Sequence, residues 1–297
     1  MLFYKNLPVL VTGGAGFIGS HLVENLVALG ADVTVLDNLS TGKPENIKNL
    51  KQKIKFINGD IRDLKTCFDA TKNKKIIFHL AAFVSVPESM NNPQECNDIN
   101  VMGTFNLLES ARLNNAERFI FSSSSAVYGN KSGICTENES CNPTSVYGLS
   151  KLLGEIYCKN YYEFFGLKTI CLRYFNVYGE RQNPNGAYAA VVAKFTHCMQ
   201  NNEPIIVYGN GLQTRDFIPV QKVVGANLNL GKLSDNHLNG LPVNIASNKS
   251  ITLLELIKQL QDNFKDYSGE IIFKPARQGD IEHSNANCTK YLNLITS

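Results

Sequence analysis

The apolar run Leu7-Pro8-Val9-Leu10-Val11 leads into a glycine-rich turn, Thr12-Gly13-Gly14-Ala15-Gly16-Phe17-Ile18-Gly19, and then into a helical pattern. Ile18, Leu22, Val23, Leu26 and Leu29 carry that pattern until Gly30 stops it. Strand, glycine turn and helix in this order constrain the fold more than any other segment. Glycines at 13, 16 and 19 allow a tight turn, close approach of the backbone to a pyrophosphate, and tight packing of helix on strand. The helix N-terminus, entered through Phe17 and Ile18, then receives the anion. With the next apolar run, 32–37, the segment forms one βαβ crossover and reads as a dinucleotide site.

Asp37 closes the second strand, eighteen residues after Gly19. A carboxylate there can accept both adenosine ribose hydroxyls and repels a 2′-phosphate, which favours NAD over NADP. Asp60, after the third strand, falls where the adenine ring sits. Farther along, Tyr147 and Lys151 are four residues apart, so a helix projects both from one face. The spacing predicts that the Lys151 ammonium lowers the Tyr147 phenol toward working pH as an acid/base. The serine run 122–125 lies upstream of the pair.

The 297 residues suffice for one large α/β domain or a large domain with a smaller lobe. A net charge of +3 with scattered basic residues excludes a nucleic-acid surface. Eight cysteines without a Cys-x-x-Cys pair read as reduced thiols in a cytosolic protein, and no zinc spacing is present. No apolar run reaches the roughly 18 residues of a membrane span, and the apolar start is a first strand rather than a signal peptide.

Short apolar runs alternate with helical patterns, which implies a parallel sheet. Strands are expected at 8–12, 32–37, 54–58, 75–80, 118–123 and 168–174. Beyond about 176 the sequence becomes turn-rich, with helices near 187–200 and 252–264. The fold class expected is therefore α/β, a Rossmann-type doubly wound parallel sheet with a smaller C-terminal substrate-binding lobe. The NAD-binding domain is assigned to 1–175, and 176–297 mainly to the lobe, with part returning to the sheet.

With these residues placed, the chain resembles the extended short-chain dehydrogenase/reductases, and within them the NAD-dependent nucleotide-sugar 4-epimerases. The resemblance runs from Val9 to about Lys290. It rests on Thr12 to Gly19, Asp37 to Gly42, Gly59-Asp60-Ile61-Arg62-Asp63, His79-Leu80-Ala81-Ala82, Asn100 to Thr104, Phe121 to Gly129, Tyr147 to Lys151, and Arg173 to Gly179. It implies that Asp37 holds the ribose, Asp60 and Ile61 flank adenine, and Ala81 and Ala82 line the pyrophosphate and nicotinamide path. Asn38, Ser40, Thr41, Gly42, Asn100 and Tyr174 complete the cofactor side, and Lys151 contacts the nicotinamide ribose.

It further implies Tyr147 as base, with Ser124 bridging it to the sugar. On the substrate side it places Ser85, Ser125, Asn176, Ala187, Tyr188, Val191, Tyr208, Arg215, Arg277, Asp280 and Ser284. Asn176 is expected at the diphosphate, with Arg215 and Arg277 as a clamp, since a guanidinium fork suits a pyrophosphate. The reaction implied is oxidation and re-reduction at the sugar C4.

Sibling dehydratases carry an Asp-Glu pair immediately after the catalytic hydroxyl residue, where this chain has Ser125 and Ala126. Decarboxylases carry a glutamate in the same stretch, and none is present. The segment Arg181 to Val191 resembles epimerases of N-acetylated UDP-hexoses. Ser284 falls at the family's gate position, where a bulky tyrosine confines relatives to UDP-glucose and UDP-galactose; a small residue leaves room for an acetamido group. The expected substrates are UDP-N-acetylglucosamine and UDP-N-acetylgalactosamine. UDP-glucose/UDP-galactose or UDP-glucuronate 4-epimerase are the alternatives, with a non-catalytic NAD-binding redox sensor outside the class.

Helices near 100–114 and 148–164 correspond to those that pair two subunits in the family, so a homodimer is expected. The segment Gln221-Lys222-Val223-Val224 stands where relatives have an Asp-containing motif. The chain ends at Ser297, where relatives usually continue through another helix.

Overall fold

The computed structural model describes residues 2–131, 133–184, 191–276 and 283–296. Its first half runs β1 (Pro8–Thr12), α1 (Phe17–Ala28), β2 (Asp32–Asp37), β3 (Ile54–Asn58), α2 (Leu64–Thr71), β4 (Ile76–His79), α3 (Val86–Asn91), α4 (Pro93–Asn97), α5 (Gly103–Leu113), β5 (Arg118–Ser124), β6 (Ile134–Cys135), α6 (Val146–Phe165) and β7 (Lys168–Tyr174). The second half continues through β8 (Asn176–Tyr178), α7 (Val191–Gln200), β9 (Ile205–Tyr208), β10 (Thr214–Pro219), α8 (Val220–Gly231) and β11 (Asn239–Ile245). It ends with β12 (Ser250–Thr252), α9 (Leu253–Gln261), β13 (Ile271–Lys274), β14 (His283–Ala286) and α10 (Thr289–Thr296).

Seven parallel strands form the main sheet in the order β11-β7-β5-β4-β1-β2-β3. The chain winds outward from β1 in both directions, so the switch point lies between β1 and β4, where a crevice opens at the strand C-termini. The sheet is apolar on both faces because helices cover both. Val9 and Val11 join Leu22, Leu26, Val223 and Leu230 in one core, while Leu10 joins Leu107, Leu108 and Cys158 in the other. That division is the two-residue alternation of a strand.

The strand at 75–80 is trimmed to Ile76–His79, and that at 118–123 extends to Ser124. A π-helical turn, Asp98–Met102, precedes α5, so the helix expected from about 100 begins regular geometry at Gly103. Residues 187–190 of the helix expected at 187–200 lie outside the described residues.

Beyond β7, β10 pairs with β12, β14 and β8, and β6 pairs with β14. Strands β9 and β13 pair over a third core built from Val192, Phe195, Met199, Leu256 and Ile257. Among the described residues, no helix is long and apolar enough to cross a membrane, and no group of His, Cys, Asp or Glu is placed to hold a metal ion.

Candidate active site

The turn after β1 leaves no room for a side chain at Gly13 or Gly19. A Cβ on Gly13, whose φ is +68°, would stand 2.7 Å from the Ala81 nitrogen, and one on Gly19 would overlap the Gly13 carbonyl oxygen. Helix α1 is capped by Gly16 with no side-chain bond and has no acidic residue in its first turn. Its N-terminal dipole therefore lacks an internal anion, as a pyrophosphate seat requires.

Thr12 joins the two strands at the switch point. Its Oγ1 accepts the Leu80 and Ala81 N–H groups, each at 3.2 Å, which leaves its own proton for His79 Nδ1 at 2.8 Å. His79 Nε2 then donates to Thr104 Oγ1 at 2.9 Å. Burial, and secondarily the Lys151 charge, pull the imidazole down to about 3, so this histidine is a neutral strut.

Asp37 is buried, and its oxygens accept the N–H groups of Ala15 at 2.9 Å and Leu39 at 2.8 Å. Each oxygen keeps a further lone pair for a ribose hydroxyl. Gly42 lies against this carboxylate, and the Ser40 N–H donates to Asn38 Oδ1 at 3.0 Å. Asn38 Nδ2 in turn donates to Asp60 at 2.9 Å, and the exposed Thr41 completes the turn. The hydrogen bonds from Arg62 hold Asp60 down at about 2, so it is an anion at working pH. Ile61 is buried against the space that Gly103 leaves open. These groups fit an adenine dinucleotide.

Asn100 and Tyr174 support the crevice from behind. Asn100 accepts the Phe83 N–H at 2.7 Å and donates to Phe83 O at 3.0 Å and Ser150 Oγ at 2.9 Å, which fixes the segment after Ala81 and Ala82 against α6. The Tyr174 hydroxyl donates to Asn227 Oδ1 at 2.9 Å.

Ser145 caps α6 and so starts the helix at Val146, directly before Tyr147. The Tyr147 N–H donates to the buried Ser89 Oγ at 3.1 Å, and the Lys151 ammonium donates to the Ser122 carbonyl at 2.9 Å. Lys151 lies 5.2 Å above the Phe121 ring and 5.9 Å from the Tyr147 ring centre. Burial lowers its ammonium to about 8. Burial also pushes the Tyr147 phenol up, and a hydrogen bond with Ser124 works the other way.

The expected lowering of Tyr147 by Lys151 is therefore not the net effect in this protein alone. The cation is turned to the Ser122 carbonyl, and burial is the largest influence on the phenol. Tyr147 and Ser124 nevertheless share a hydrogen bond at the end of β5.

On the lobe side, Asn176 Nδ2 donates to the Asp216 carbonyl at 3.0 Å, which ties β8 to β10 beside Arg215. Arg215 donates to the Thr214 carbonyl at 2.9 Å, and its register partner across the ladder is Ser284. Tyr208 ends β9, Val191 begins α7 and Ser125 follows β5. Ser85 is occupied as the cap of α3, accepting the Glu88 N–H at 3.2 Å. Ala187, Tyr188, Arg277 and Asp280 lie outside the described residues. Asp216 escaped the sequence reading: it is fully buried, accepts the Ser247 N–H at 2.7 Å, and is pushed up by burial. Its place in Thr214-Arg215-Asp216-Phe217 was the available signal.

Residues 9–246 match the family described as the NAD dependent epimerase/dehydratase family. A Methanocaldococcus jannaschii protein provisionally named a UDP-glucose 4-epimerase is 42% identical over 279 residues, covering 92% of this chain and 87% of its own. The structure of a UDP-N-acetylglucosamine 4-epimerase from Methanobrevibacter ruminantium, in complex with UDP-N-acetylmuramic acid, matches at TM-score 0.93 and 38% identity, over 99% of this chain and 93% of that one. A Thermotoga maritima UDP-glucose 4-epimerase with UDP-glucose matches at TM-score 0.91 and 37% identity, over 98% and 93%. The chain belongs to the NAD-dependent epimerase/dehydratase family and is an NAD-dependent enzyme of its epimerase branch, an isomerase.

Proposed function

We propose that the chain interconverts UDP-N-acetylglucosamine and UDP-N-acetylgalactosamine through a 4-keto sugar. Bound NAD supplies the hydride acceptor and then the donor. Tyr147, through Ser124, takes the 4-hydroxyl proton and returns it, and Lys151 favours the phenolate and holds the nicotinamide ribose. Asn176 and Arg215, joined by Arg277, bind the diphosphate, so that affinity resides in the nucleotide and the sugar is free to turn over. NAD, regenerated in each cycle, stays bound between turnovers. The residues up to about 175 make the cofactor domain and those beyond it mainly the substrate lobe.

The observation that carries the acetamido reading is Ser284, a small residue directly across the ladder from Arg215. A side chain of that size leaves room beside the sugar C2. The Methanobrevibacter neighbour, named for an acetamido sugar, supports the same choice.

The test incubates purified protein, without added NAD, separately with UDP-N-acetylglucosamine and UDP-glucose, and follows the anomeric protons by NMR. Appearance of the galacto epimer from the acetamido sugar is expected. Turnover of UDP-glucose alone would falsify the gate reading. Ser284→Tyr is expected to lower kcat/KM on acetamido sugars by roughly 100-fold while sparing UDP-glucose, because a pocket that excludes a group rejects it at about that level. Equal loss on both substrates would count against it.

A further inference from the structure

We infer that Glu155, clamped by Arg173, is a positioning residue that locks α6 to the end of β5 and so sets where Tyr147 and Lys151 stand relative to Ser122 and Ser124. Glu155 lies one helical turn after Lys151, and both are buried, at 5% and 4% exposure. Ser123 and Arg173 are register partners on β5 and β7, so their side chains share the sheet face that α6 covers. Glu155 Oε1 accepts Ser123 Oγ at 2.5 Å and Arg173 Nε at 2.9 Å, and Oε2 accepts Arg173 Nη2 at 2.7 Å. One carboxylate thus joins two strands to the helix.

Arg173 makes further contacts, one of them through the same Nη2. It donates to Cys141 Sγ at 3.2 Å and lies 4.7 Å from the centre of the Tyr128 ring. Burial opposes its charge, but the Glu155 carboxylate holds the guanidinium protonated, while burial keeps the Cys141 and Cys171 thiols neutral around the pair.

A buried ion pair often adds little stability over well-packed apolar residues of the same volume. What the fork does impose is direction, since two parallel bonds accept a narrow range of approach. At the adjacent position, a Cβ on Gly154 would overlap the Phe121 ring, so α6 already lies at contact distance from β5. Contact at 154 and the fork at 155 together fix both the height and the rotation of the helix. One turn earlier, this rotation brings the Lys151 ammonium to 2.9 Å from the Ser122 carbonyl.

The test compares wild type with Glu155→Gln, Arg173→Lys and the double variant Glu155→Leu/Arg173→Met, which strands no charge. Circular dichroism and bound NAD establish which variants fold. In the folded double variant kcat is expected to fall about 100-fold, the cost of a displacement of about 1 Å, with KM within about twofold. The acid limb of its kcat profile is expected to move up by about one pH unit as the cation and phenol separate. Arg173→Lys keeps the charge but loses the fork, and is expected not to restore the rate.

The inference rests on the epimerase reading, which wild-type turnover tests separately. A second readout needs no turnover: tyrosinate absorbance titration, with Tyr147→Phe as the subtraction, is expected to show the Tyr147 step displaced in the double variant. A folded double variant with wild-type kcat, an unmoved acid limb or an unmoved tyrosinate step overturns the inference. So does full activity of Arg173→Lys.

Discussion

Lys151 illustrates how a functional residue opposes folding. Its ammonium has a usual value of 10.5 and is lowered to about 8 by burial. Between those values the unfolded chain binds a proton that the folded chain does not, so stability rises with pH across that window. A lowering of that size corresponds to about 3 kcal/mol of penalty at neutral pH. Lys151→Met removes this penalty but strands the Ser122 carbonyl, at about 1–3 kcal/mol. The variant is therefore expected to be up to about 2 kcal/mol more stable than wild type at pH 7, with activity about 100-fold lower or less. Urea unfolding of the NAD-free proteins, near neutrality and again above the folded value of about 8, checks the sign. The advantage should shrink as pH rises; an advantage that stays constant would mean that Lys151 is not the group being relieved.

Gly19 makes the opposite case, a residue whose only property is its small size. Its missing Cβ is what allows α1 to lie against the Gly13 carbonyl. Backbone meets backbone there, so Gly19→Ala has no flexible side chain to absorb the overlap. A loss of about 2–3 kcal/mol and of co-purifying NAD is expected, measured by thermal unfolding and by absorbance of the extracted cofactor.

Among the elements, α8 begins with little support. Pro219 precedes it without a side-chain cap, and its first turn carries no acidic residue but does carry the exposed Lys222. A cation at the positive end of a helix dipole is unfavourable. Lys222→Glu is expected to add about 0.5–1 kcal/mol, read as a higher urea midpoint at unchanged slope. No gain would mean that Lys222 does not feel the helix dipole.

Six of the seven strands of the first half, β1 to β5 and β7, were legible because a sheet covered on both faces writes itself as continuous apolar runs between turns. The short β6, β8, β12 and β14 were not, since segments of two to four residues take their register from the strands they meet. In the site, Tyr147 and Lys151 were visible from helical spacing. The direction of the Tyr147 shift was not, because it depends on how much water the fold removes. Asn100 was named through the resemblance, but its grip on Phe83 needs coordinates.

Across the whole molecule, α6 has two faces with different work. Ser150, Lys151, Gly154, Glu155 and Cys158 turn inward onto the sheet and the site, whereas Leu149 and Ile156 are 47% and 48% exposed and Phe164 is 70% exposed. Met102 and Leu113, before and at the end of α5, are also exposed. A second copy of the chain packed on these adjacent helices would bury their exposed apolar groups. A homodimer is therefore expected, and light scattering at micromolar concentration should give about twice the 32.9 kDa of one chain. Burying each such side chain contributes about 1.5–3 kcal/mol, so Ile156→Glu with Phe164→Glu should dissociate the pair. Because the opposite face of the same helix carries Tyr147 and Lys151, loss of the partner should also lower kcat more than KM. A wild-type protein that scatters as a monomer would remove this role from the outer face, and the exposed stripe would then need another occupant.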